Sequence, residues 1–131
     1  MGLLEKRQIV QVKNIDLPLF KEQLNKIIGS DVEVAIEWDS YILYDEFPLK
    51  RLVNFVFIDI IDFVKSICND EMLKQRLQVK LKRIQLRNCM DEKEMEVVFR
   101  DETLFITDQL VGDTFSNNMA NVLVNYMKPI L

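Results

Sequence analysis

An α+β domain with an antiparallel sheet of about four strands is the fold that the sequence predicts. Three observations carry it. Phe20, Leu24, Ile27 and Ile28 recur at helical spacing, and a more apolar stretch from about 48 to 68 does so over most of its circumference. Val32, Val34, Ile36 and Trp38 alternate with Glu33, Ala35, Glu37 and Asp39. A second region of period two follows near the end of the chain, in three short runs with brief connections. The expected order is α-β-α-α-β-β-β-α in a single domain spanning residues 1–131, with no internal repeat or linker.

Each element has a local reason. Residues 3 to 13 fit a short helix slightly better than a strand. Asp16 offers a side-chain cap to the next helix, Pro18 sits in its first turn, and Gly29 ends it in the left-handed conformation. Residues 39 to 47 read as a loop. Pro48 opens a long apolar helix to about residue 68, expected at the centre of the core. Asn69 and Asp70 cap a further helix, in which Leu73, Leu77 and Leu81 recur every fourth residue.

The period then changes to two. Ile84 and Leu86 alternate with Arg83, Gln85 and Arg87, so a strand runs from about 82 to 89. Met95, Val97 and Phe99 form the next strand, and Leu104 and Ile106 the one after. Residues 100 to 103 make a hairpin connection without the Asn-Gly pair that favours a tight turn. These three strands are expected as an antiparallel meander, with the first strand added at an edge. A loop containing Gly112 leads to a helix from about 115 to 128 with Phe115, Met119, Val122, Leu123 and Tyr126 on one stripe.

Composition narrows the chemistry. The 131 residues are 49% hydrophobic and 29% charged, which is too apolar for disorder. Histidine is absent, so Ser-His-Asp and Cys-His catalysis lack their base. Glycine occurs three times, which leaves no glycine-rich loop to cradle phosphates. Cys68 and Cys89 have no ligand partners at zinc spacing and read as buried thiols of a reducing compartment. No cofactor and no metal is expected. The beginning of the chain shows no signal-peptide or myristoylation pattern. The apolar region from 49 to 68 contains Lys50, Arg51, Asp59, Asp62 and Lys65, which forbids a membrane span. A cytoplasmic location is expected. The net charge of −4 disfavours general nucleic-acid binding.

Charge is unevenly distributed. Residues 31 to 48 hold six acids and no Lys or Arg, together with Trp38, Tyr41 and Tyr44. Aromatic side chains bring large contact area at low entropy cost, and flanking carboxylates steer a basic partner. Trp38, Asp39, Tyr41, Tyr44, Asp45 and Glu46 are therefore the candidate partner-binding residues. The simpler alternative is that Trp38 and Tyr41 anchor the loop to the core while the acids are solvated. Lys74, Arg76, Lys80, Lys82, Arg83 and Arg87 form an opposite, basic stripe without interleaved aromatics. It could meet phosphates, or the acidic segment of a second copy in a homodimer. Asp59 and Asp62 share a helix face and suit acid-base or Mg²⁺ chemistry if buried, though a narrow solvated stripe explains them more simply. Asp91, Glu92, Glu94 and Glu96 lack EF-hand spacing and read as a charged loop and strand face.

The resulting expectation is a non-enzymatic cytoplasmic module that masks a basic protein partner, in the manner of an immunity protein or a chaperone. The alternatives are a carboxylate-dependent, metal-assisted enzyme using Asp59 and Asp62, and a nucleic-acid-binding domain using residues 74 to 87.

Overall fold

The computed structural model describes residues 3–41, 47–110 and 119–131. Helix α1 (Leu3–Gln11) passes through a π-turn at Val12–Asp16 directly into α2 (Leu17–Ile28). The Leu17 N–H donates to the Val12 carbonyl, five residues back. Pro18 follows with no N–H to give and a ring that crowds the preceding turn, so the run widens there. Asp16 is consequently helical (φ −70°, ψ −43°) and makes no capping bond, contrary to expectation. The end of α2 is as predicted. Gly29 has φ +82°, its N–H bonds the Asn25 carbonyl at 2.8 Å, and a Cβ there would lie 2.9 Å from Gln78 Nε2.

Strand β1 (Glu33–Ile36) ends before Trp38, which instead starts a 3₁₀ turn, Trp38–Tyr41. The expected long apolar helix is not continuous. It is α3 (Phe47–Arg51), a π-turn at Leu52–Val56 and α4 (Phe57–Cys68), with the Phe57 N–H bonded to the Leu52 carbonyl. A helix that is apolar nearly all round hides a one-residue insertion, because no polar stripe shifts phase to reveal it. The rings of Phe20 and Phe57 stack with centroids 4.2 Å apart and lock α2 to α4. Helix α5 (Glu71–Lys80) starts at Asp70, whose Oδ1 accepts from the Met72 and Leu73 amides at 2.9 and 3.2 Å.

Strands β2 (Arg83–Cys89), β3 (Glu96–Arg100) and β4 (Thr103–Gln109) complete the sheet, with a 3₁₀ turn at Glu92–Glu94 between β2 and β3. The spatial order is β1-β2-β4-β3. β1 pairs with β2 in parallel, β2 with β4 in parallel, and only the β3–β4 hairpin is antiparallel. The predicted antiparallel meander is therefore corrected to a mixed, mostly parallel sheet, while the edge position of β1 is as expected. Side-chain alternation reports which face of a strand is buried and is silent about which strand lies beside it. The burial of β4 does mark its inner place, since Thr103, Leu104, Ile106, Thr107 and Asp108 are all buried.

Ile84, Leu86, Leu104 and Ile106 belong to one buried core with Leu24, Ile60, Phe63 and Val64 of the helices. Helix α6 (Met119–Met127) contributes Met119, Leu123 and Met127 to it. Val122, expected on that stripe, is exposed, and Tyr126 is half-buried with its hydroxyl accepting from the Phe99 amide at 2.8 Å. Phe115 and Gly112 lie outside the described residues. Among the described residues no helix is long and apolar enough to cross a membrane.

Candidate functional site

β1, β2 and β4 run in the same direction, so their carboxyl ends share one edge of the sheet. Such an edge is where open parallel sheets most often present ligand-binding groups. Here the strand ends are joined by polar side chains. The Asn88 amide donates through Nδ2 to the Ser40 carbonyl at 2.9 Å, and its Oδ1 accepts from the Leu110 amide at 2.9 Å. The Asn88 backbone N–H donates to Ser40 Oγ at 3.0 Å, and that hydroxyl donates to the Glu37 carbonyl at 2.6 Å. One buried asparagine thus ties the turn after β1 to the ends of β2 and β4.

Outside this knot lies a cleft of roughly 420 Å³, lined by Glu37, Asp39, Ser40, Arg87, Asn88, Cys89, Met90 and Glu94. Three of these side chains are carboxylates and one is a guanidinium. Arg87 Nε sits 3.6 Å from Glu37 Oε2, and both side chains are about half exposed, so the pair contributes little stability. The ionisable groups behind the cleft respond in one sense. Burial raises the Cys89 thiol, and Glu94, Asp108 and Asp91 raise it further against the opposing pull of Arg87. Burial, then Asp108, Glu37 and Cys89, push the Tyr41 hydroxyl far above its ordinary range. Asp108 is pushed up to about 6, chiefly by burial, with a lowering hydrogen bond from the Gln109 amide and a further rise from Asp59. Burial is the largest cause of each shift, and neighbouring carboxylates add to it. Together they keep Cys89 a thiol, which is a poor nucleophile.

The predicted partner-binding residues separate on this edge. Asp39 is exposed at the cleft. Trp38 is half-buried against the core, with Lys13 Nζ 5.1 Å above its ring. Tyr41 is buried in the core and anchors the turn. Tyr44, Asp45 and Glu46 lie outside the described residues. Glu94, read from the sequence as part of a charged loop, joins Glu37 and Asp39 in the cleft. Asn88 and Asp108 went unread, although each left a signal: both are polar where the alternation of Ile84, Leu86 and of Leu104, Ile106 calls for an apolar side chain.

The basic stripe is divided. Arg76 donates to the main-chain oxygen of Leu131 at 2.9 Å and Lys80 to that of Ile130 at 2.6 Å, whereas Arg83 and Arg87 lie on the open face of the sheet. Lys82 turns back to the Gln78 carbonyl at 2.8 Å. Asp59 and Asp62 face different surroundings, although burial and then the Asp62 charge raise the Asp59 carboxyl. Asp59 accepts from the Met119 amide and acts on Asp108, while Asp62 is exposed on the groove between α2 and α4. Among the described residues no cluster of three or more His, Cys, Asp or Glu side chains is placed to hold a metal ion. No family model, curated protein or solved structure matches the chain.

Proposed function

We propose that this protein is a non-enzymatic binding module of the cytoplasm that masks a basic segment of a protein partner at the carboxyl edge of its sheet. The observation that carries the reading is the cleft in which Glu37, Asp39 and Glu94 face solvent against Arg87 alone. Its charge excess would draw in a Lys- or Arg-rich segment and repel acidic ones. The Asn88 hydrogen bonds hold the turn bearing Asp39 in place, so little ordering is needed on binding. Tyr41 positions the turn rather than touching the partner. Free Cys68 and Cys89 suit a reducing compartment.

Affinity capture from the native host tests this. Wild type should retain a basic protein in a salt-sensitive way, and Asp39→Lys with Glu94→Lys should weaken retention by about tenfold or more while circular dichroism stays unchanged. A partner held equally by the charge-reversed variant, or the absence of any basic partner, overturns the proposal.

A further inference from the structure

β1 lies at the edge of the sheet, with β2 on one side of it. Main-chain groups point alternately to the two sides of a strand. The amides of Glu33 and Glu37 donate to the Lys82 and Leu86 carbonyls at 3.0 and 2.9 Å. Glu33, Ala35 and Glu37 therefore turn their N–H and C=O groups toward β2. Val34 and Ile36 turn theirs to the free edge, where among the described residues no group bonds them. The Val32 amide is already met by Asn25 Oδ1 at 2.9 Å, so the edge opens at Val34. The side chains of Val34 and Ile36 are only half-buried against the core. Unbonded main-chain groups along such an edge are a template for one more strand.

The side chains decide what that strand carries. Glu33 and Glu37 stand on the open face of the sheet, their side chains 66% and 50% exposed. β2 meets them with Arg83 opposite Glu33 and Arg87 3.6 Å from Glu37, so acid and base alternate from strand to strand. Lys21 of α2 also reaches Glu33, at 3.6 Å, while Lys13 lies over Trp38 instead. Glu37 is therefore the stronger place for an added cation, and Glu33 the weaker. A two-fold copy of this chain does not fit. It would pair β1 antiparallel with itself, and the registers that oppose Val34 and Ile36 set Glu33 on Glu37, Asp31 on Glu37 or Glu33 on Asp39. We propose that β1 takes up an extended segment of a protein partner as a fifth strand of the sheet. The main chain of that segment bonds Val34 and Ile36, and alternate Lys or Arg side chains lie beside Glu37 and Glu33. The proposal rests on the reading of the acidic cleft, which begins at Glu37 and Asp39 and so continues directly into β1.

Amide hydrogen exchange of the isotope-labelled full chain is the test, with a capped hexapeptide of alternating Lys and Val as the probe and its Glu and Val counterpart as the control. The Val34 and Ile36 amides should exchange fast in the free chain. Saturation with the Lys peptide should slow them by about tenfold or more, and the Glu peptide should leave them unchanged. Methylating alternate peptide nitrogens should abolish the protection in one phase and keep it in the other. Glu37→Lys should weaken binding by about fivefold, more than Glu33→Lys, with circular dichroism unchanged. No binding of the Lys peptide up to millimolar concentration overturns the inference, and so does binding that leaves the Val34 and Ile36 amides fast. Binding that is lost in Asp39→Lys with Glu94→Lys, but never protects those amides, keeps the cleft and refutes the edge. Edge protection that ignores the two reversals does the opposite.

Discussion

Asp108 shows how much one side chain reports about its surroundings. Its carboxyl titrates near 6 in the folded chain, against an ordinary value near 3.8. Below the ordinary value both folded and unfolded chains hold the proton and nothing is lost. Between about pH 4 and pH 6 the unfolded chain releases its proton first, so the native state loses stability as pH rises. Above 6 the full penalty is present, on the order of 2–3 kcal/mol for this group. Asp108→Asn keeps an oxygen to accept from the Gln109 amide and removes the charge. Urea unfolding should show variant and wild type nearly equal at pH 4 and the variant more stable at pH 7. An equal gap at both values would contradict this account. The residue was visible in the sequence only as a polar interruption of an apolar face. That Asn88 lies directly opposite it across β2 and β4 depends on the strand pairing, which no local pattern contains.

Elements were legible where their termini carry specific chemistry. Asp70 and Gly29 did what their side chains, or lack of one, demand. The two π-turns were invisible because each is one additional residue within an otherwise good helix. The hairpin between β3 and β4 is intermediate. Its position was clear, but the turn is built from Asp101 and Glu102 at φ +50° and +61°, the double left-handed geometry that type I′ turns need and glycine best supplies. Glu102 pays for that conformation in strain of about 1 kcal/mol. Glu102→Gly should raise the thermal midpoint slightly, with a net gain of up to about 0.5 kcal/mol after the entropy cost of glycine. A lowered midpoint would mean that the Glu102 side chain stabilises the turn in some other way.

At the scale of the whole molecule, the buried faces were readable and the neighbours were not. The apolar inward residues Ile84, Leu86, Leu104 and Ile106 follow from alternation, whereas Met95, expected inward, is exposed before β3 begins, and the acidic cleft exists because the sheet edge brings the turn at Trp38–Tyr41 beside Glu94, far along the chain. The same limit applied to the basic residues from 74 to 87, contiguous in sequence and divided between a helix and a sheet face in space. One feature of the order β1-β2-β4-β3 reaches into the history of the chain. The strand made last lies between two made earlier, so during synthesis β2 and β3 have nothing to join them until residues 103 to 109 emerge. The sheet should then close in one step, with Ile84, Leu86, Leu104 and Ile106 gaining amide protection together. A chain ending at Arg100 should leave the amides of β2 unprotected in hydrogen exchange; protection there would show that β1 and β2 assemble alone. Until its last strand arrives this protein carries an open seam through the middle of its sheet, and the interval of greatest aggregation risk lies between the emergence of β2 and that of β4.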